Sequence, residues 1–270
     1  MKKFVLMLMA GVVASSLFAQ APNQPKSKRE EKLQKKNERR QRLNELSRQE
    51  EEGEIIYNKQ NVFSLKLATD GYGIGYEYGK FKSNRKSILF NFELSEKKHP
   101  KEKREGFFDP GQLRVNYLAF GKLNTFYQAR LGAAMQQVIG GKGNKNGVSV
   151  SAIYGGGLTL GLVKPYIIDA VINDQGEIKQ SRYPEIIDST YFEVKAKGIS
   201  GGWSELKVRP GVYVKTAMRF DYGRLNETVT AIEVGLSGEY YSNKIPQMLF
   251  SKEKQFFFNA YLAILLGRRK

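Results

Sequence analysis

The sequence predicts an all-β protein, an antiparallel up-and-down transmembrane β-barrel of about 8–10 strands behind a charged, partly helical N-terminal tail. Three observations carry this expectation. Most of the chain after residue 53 alternates with period two, the repeat of a strand with two unlike faces. No apolar run reaches the ~18 residues that a spanning helix needs. The polar face of the alternation is built mainly from Gly, Ser, Asn, Gln and Ala, with isolated charges of both signs.

Residues 1–21 read as a secretory signal peptide. Lys2 and Lys3 precede the short apolar stretch Phe4–Val13, and Ala19 or Ala21 offers a small residue for cleavage. The formal net charge is +17, and losing the two signal lysines leaves +15. A basic exported protein meets anionic partners, and at an outer membrane the anionic layer is lipid headgroup. No nucleic-acid motif accompanies the charge, so nucleic acid is not an expected partner. The chain has no cysteine, which excludes a cysteine-linked lipid anchor, a disulfide framework and thiol chemistry.

Residues 22–53 form the tail. Ten basic residues stand against seven acidic ones over Pro22–Glu52, and Leu33, Leu43 and Leu46 are its large apolar residues. The composition favours helix but offers too little apolar surface for a packed domain. A charged periplasmic segment is expected.

Residues 54–270 carry the barrel. Val62–Thr69 alternates, Asp70-Gly71 signals a hairpin turn, and Tyr72–Tyr78 returns. Ile88–Glu96, Gln112–Gly121, Thr125–Val138 and Val148–Val163 follow, with Lys97–Pro110 and Gly140–Gly147 as loops. The long loop 164–208 breaks the rhythm. A strand through Val212–Asp221 then leads to Asn226–Tyr241, the clearest alternation of all. There Thr230, Ile232, Val234, Leu236 and Tyr240 oppose Ala231, Glu233, Gly235, Ser237 and Glu239. Phe256–Leu266 closes the set. These strands number nine, whereas single-chain bacterial barrels carry an even number. A split within Val148–Val163, a short strand at Glu54–Tyr57 or a strand inside 164–208 would restore parity.

Alternation alone fits a soluble barrel with its apolar face inside. The Tyr- and Phe-rich apolar face and the small, oppositely charged polar face instead suit lipid outside and a narrow lumen packed by ion pairs. The expected lumen charges are Lys66, Glu77, Glu93, Arg114, Arg130, Lys215, Arg219, Glu233 and Glu239.

The stretches LFAQ, TDGYGIGYEYG, KHPKE and FGKLNTFYQARLG resemble the small outer-membrane β-barrel proteins of Bacteroidota, over roughly Glu54 to the C-terminus. The resemblance implies a fold and an outer-membrane address, and no defined activity. The chain departs from other outer-membrane barrels in ending GRRK rather than on an aromatic residue.

Catalytic chemistry is sparsely provided for. His99 is the single histidine, and Ser95 or Ser87 with Glu93 would complete a hydrolase triad only within hydrogen-bond reach of it. One histidine and no cysteine leave too few ligands for a histidine-based metal site. In Gly140–Gly147, Lys142 is followed by Gly143 rather than the Ser or Thr of a phosphate loop. The expectation is a non-enzymatic structural or interaction component of the cell envelope, with no cofactor and no metal. A barrel-rim acyl hydrolase, an accessory of a secretion complex and a small porin are the alternatives. Tyr183, Tyr191 and Trp203 in the long loop are the candidate contacts for a protein partner, because aromatic residues dominate binding hot spots.

Overall fold

A computed structural model describes residues 28–51, 57–83, 85–109, 114–142, 147–171, 178–183, 193–198, 201–223 and 227–270. The signal peptide, the sequence between the tail and Tyr57, and Tyr191 lie outside the described residues.

Within the tail, residues 28–51 form one helix, α1 (Lys28–Glu51). Its side chains are exposed wherever they are described. Charge runs round the whole circumference, so no apolar stripe is available to bury. Good helix formers support it locally. It forms a unit separate from the remainder of the chain.

The second unit is a closed barrel of eight antiparallel strands. In order round the wall they are β1 (Lys59–Ala68), β2 (Gly71–Ser83), β3 (Lys86–Lys97), β6 (Asn124–Gly140), β7 (Ser149–Pro165), β11 (Lys207–Asp221), β12 (Thr228–Ile245) and β13 (Lys254–Arg269). Every neighbour in the wall is also the next barrel strand in the chain. β13 pairs with β1 from Gln60↔Arg269 to Ala68↔Tyr261 and seals the sheet, which leaves no edge in the barrel. At 10 to 18 residues, each strand exceeds or matches the ~9–11 needed to cross a bilayer at a tilt.

Two excursions leave the same end of the barrel. β4 (Arg104–Asp109) and β5 (Arg114–Ala119) form a hairpin between β3 and β6. β8 (Ile167–Val171), β9 (Ile178–Arg182) and β10 (Glu193–Ala196) form a three-stranded sheet between β7 and β11. The nine-strand count therefore had one strand too many. Gln112–Gly121 does contain a strand, but it pairs with β4 from what was read as a loop. Two of the remedies for the parity do not apply: β7 is a single strand, and the strands β8, β9 and β10 within 164–208 stay outside the wall; the third, at Glu54–Tyr57, falls largely outside the described residues. Period two reports a pleated segment with two environments, not which sheet it joins.

Burial is inside-out. Along β12 the residues from Val229 to Tyr241 with odd numbers are buried, and these include Glu233 and Glu239. On the opposite row Val234, Leu236 and Tyr240 are apolar and exposed, as are Phe63, Leu65 and Leu67 on β1. The lumen is layered. Val62, Leu89, Ile153, Val229 and Leu265 fill the end with the short turns. Charges occupy the middle. Phe126, Tyr241 and Phe257 close the other end, with ring centroids 5.5–5.7 Å apart.

Candidate functional site

The lumen charges form a connected network. Arg219, from β11, lies fully inside the wall. Its Nη1 and Nη2 donate to the two Glu77 carboxylate oxygens at 2.8 Å each, and its Nε and Nη2 donate to Glu233 at 3.0 and 2.7 Å. Tyr261 donates its hydroxyl to Glu233 at 2.8 Å, and Gln60 donates to Glu77 at 3.2 Å. Glu93 sits among three cations, Lys66 at 3.0 Å, Arg130 at 3.4 Å and Lys215 at 3.4 Å. Arg130 continues to Glu239, which also meets Lys97 at 2.9 Å and accepts from Gln128 at 2.6 Å.

Of the nine charges expected in the lumen, the structure brings together eight: Lys66, Arg130, Lys215 and Arg219 against Glu77, Glu93, Glu233 and Glu239. Four cations face four carboxylates, so this network is electrically neutral. Arg114 is the correction. It belongs to β5 and lies opposite Asp109 of β4, in the hairpin outside the wall. Its alternation was that of a hairpin, and nothing in its own segment distinguishes the two.

Several lumen residues were missed. Lys97 belongs to β3 rather than to the loop, and it bridges Asp70 at 2.6 Å and Glu239. Tyr213 accepts from Asn91 at 2.7 Å, and the Arg130 guanidinium lies 5.2 Å from its ring. Their parity was available: Lys97 is four positions from Glu93, and Tyr213 is two from Lys215. Two cavities in this region hold about 20 and 10 Å³, room for about one water each. That volume suits a packed lumen and not a pathway.

The excursions make a cap. Leu118 of β5, Ile168 of β8 and Tyr183 after β9 are buried together, with Tyr166, Ala196 and Leu249 against them. The ring of Tyr183 meets Phe120 edge-on at 6.1 Å. Tyr183 is thus part of the cap's own core and does not present its ring to a partner, which corrects its reading as a contact residue. Leu123 and Asn124 both donate backbone N–H groups to the carbonyl of Gln247, which ties the cap to the segment between β12 and β13. Trp203 stands on the outer wall, half exposed. Its ring stacks on Tyr127 of β6 at 5.8 Å and 13°, with the Lys164 ammonium 5.1 Å from it. Gly202 enters this turn with φ 84°, a left-handed conformation suited to glycine.

The hydrolase constellation is not assembled. Ser95 donates its hydroxyl into the lumen to Gln128 at 3.0 Å, Ser87 donates to Gln136 at 3.4 Å, and Glu93 is held by its three cations. His99 is buried just past β3, where its Nδ1 accepts from the backbone N–H of Lys101 at 3.2 Å. Burial lowers its pKa below the ordinary imidazole value, and the positive charges of Lys254 and Lys101 lower it further against the opposing pull of Glu102. Among the described residues no group of three or more His, Cys, Asp or Glu side chains is placed to hold a metal ion.

No family model matches the chain, and no curated protein matches it. Solved structures do. The attachment invasion locus protein Ail of Yersinia pestis, in a complex with the heparin analogue sucrose octasulfate, is 12% identical with a TM-score of 0.35 over 80% of this chain and 100% of that one. Neisserial surface protein A (NspA) is 11% identical with a TM-score of 0.38, over 78% and 96%. The N-terminal β-barrel domain of Pseudomonas aeruginosa OprF is 10% identical with a TM-score of 0.36, over 78% and 98%.

Proposed function

We propose that the chain is a non-enzymatic integral outer-membrane β-barrel that serves the cell envelope as a structural or interaction component. The observation that carries this reading is the inside-out burial: a neutral ionic core within the wall, and rows such as Phe63, Leu65 and Leu67 outside it. In water such a surface would be an aggregation hazard, whereas in lipid it is the solvated face. Membrane lipid is accordingly the first partner. The orientation follows from loop length. Outer-membrane barrels keep short turns on the periplasmic side and long loops outside. The chain enters β1 at the end with short turns, so the tail is periplasmic and the cap faces outward.

With the lumen packed, the cap is the part left to make specific contacts, and a second envelope protein complex is the kind of partner proposed for it. Trp203 is its exposed aromatic anchor. Carbonate extraction of membranes tests the address: the protein is expected to stay with the membrane until detergent is added, and release by carbonate alone would refute the reading. Planar-bilayer recording tests the packed lumen, where large stable channels would contradict it. A pull-down in mild detergent, with the full chain and with residues 171–204 deleted, tests the cap. An unchanged partner list with the barrel still folded would remove it from the proposal.

A further inference from the structure

The outer wall is apolar along most of its height, but at the end with the short turns its character splits. On β1, β2 and β3 the outward row ends in Lys59, Lys80, Lys82 and Lys86, all exposed, and the turn between β2 and β3 adds exposed Arg85. At the same level on β6, β7 and β11 the outward residues are uncharged: Gln137 stands directly opposite Lys86, and Ile139, Val148, Phe220 and Tyr222 are apolar. The lysines therefore form a one-sided belt on three neighbouring strands. They continue the rows that carry Phe63, Tyr78 and Phe90, so they stand where a bilayer's hydrocarbon gives way to headgroups.

Among the described residues none of Lys59, Lys80, Lys82 or Lys86 has an ion-pair partner, whereas neighbouring Arg268 of β13 is paired with Glu227. Lys59 and Lys80 are direct cross-strand partners, an arrangement that is unfavourable without an anion between or beside them. At the opposite end of the same strands the outward Glu96 meets Tyr72 at 2.6 Å and Arg104 at 4.0 Å, so charge there is balanced internally.

We propose that Lys59, Lys80, Lys82 and Lys86 form a binding site for the phosphate headgroups of anionic glycerophospholipids in the leaflet at the short-turn end. The proposal rests on the membrane-barrel reading above and deepens it by naming the lipid class and the strands that hold it. A headgroup is favoured over a wall polymer or an acidic protein because the side chains project from the lipid-facing side of the strands.

Native mass spectrometry of the full chain in mild detergent, supplied with phosphatidylglycerol or phosphatidylcholine, is the test. Each parent molecule is expected to retain phosphatidylglycerol preferentially. A lysine near an anionic surface contributes about fivefold, so the Lys59→Gln/Lys80→Gln/Lys82→Gln/Lys86→Gln variant is expected to lose the preference by on the order of tenfold or more. A Lys101→Gln/Lys103→Gln control at the other end keeps it. Salt is expected to weaken retention by the parent. Equal retention of the two lipids by the parent, a salt-insensitive preference, or an unchanged preference in the belt variant would overturn the site. So would a variant that keeps its lipid but loses binding to purified peptidoglycan, which would assign the belt to the wall polymer. Insertion of the parent into phosphatidylcholine vesicles, read by heat-modifiable migration, is scored separately. A parent that does not insert refutes the membrane barrel, and one that inserts without lipid preference refutes only the belt.

Discussion

Replacing Arg219 by methionine removes one side chain and strands two carboxylates. Arg219 makes four hydrogen bonds of 2.7–3.0 Å to Glu77 and Glu233, and its side chain is 2% exposed. Bonds to charged groups are worth about 1.5–3 kcal/mol each, which sets a gross ceiling of roughly 6–12 kcal/mol. The ceiling is not reached, because Gln60 still donates to Glu77 and Tyr261 to Glu233. Breaking a buried pair by deleting one partner costs about 3–5 kcal/mol, and that is the expected loss. Arg268→Met, in a pair whose arginine is 55% exposed, is the internal control and is expected to cost about 0.2–1 kcal/mol. The triple variant Arg219→Met/Glu77→Gln/Glu233→Gln is expected to recover most of the loss, since no unpaired charge then remains inside. Urea unfolding in lipid vesicles, followed by far-UV circular dichroism, gives all three numbers. A loss at Arg219 no larger than at Arg268 would refute the claim of a packed ionic lumen.

The single histidine gives a pH test: His99 is expected to titrate below the ordinary imidazole value, read from its ring proton resonances in detergent micelles. Its folded-state pKa is depressed, so its contribution to stability is present above about 6.5 and is lost as pH falls through the folded value; a midpoint at or above 6.5 would contradict its burial. Trp203, the one tryptophan, is expected to be quenched more by lipids brominated near the glycerol backbone than by lipids brominated at mid-chain, which would place it in the interfacial belt; the reverse order would put the cap edge inside the hydrocarbon. Gly132→Ala would drive a methyl group into the Tyr213 hydroxyl and the Gly156 carbonyl, and is expected to destabilise by about 1–3 kcal/mol in the same urea assay; a neutral result would mean that Tyr213 does not cross the lumen there.

The wall was legible because each barrel strand has two unlike faces, an exposed apolar one and one in a crowded lumen, and the chain records both at period two. Eight of the nine lumen charges were found from parity alone, since a charge on a face of glycine and alanine has few places to go. Arg114 and Tyr183 misled for one reason. The cap is an ordinary small core outside the wall, and its short strands carry the same alternation without the same surroundings. Lys97 was lost at a boundary, because a basic run continuing into KKHPKE hides the last position of β3. The apposition of Trp203 and Tyr127, 76 positions apart, leaves no local trace in the sequence.

Seven of the eight seams in the wall join strands that are consecutive within it. The eighth joins Gln60 to Arg269, across nearly the whole chain. Until that seam forms, β1 and β13 each present a row of unpaired backbone groups, which bind the wrong partner as readily as the right one. Closing a loop of this length is entropically slow, and the reward comes only at the end. The last strand is therefore needed before the first is satisfied. The chain has to be kept from pairing with its neighbours throughout that wait, a demand set by the topology itself.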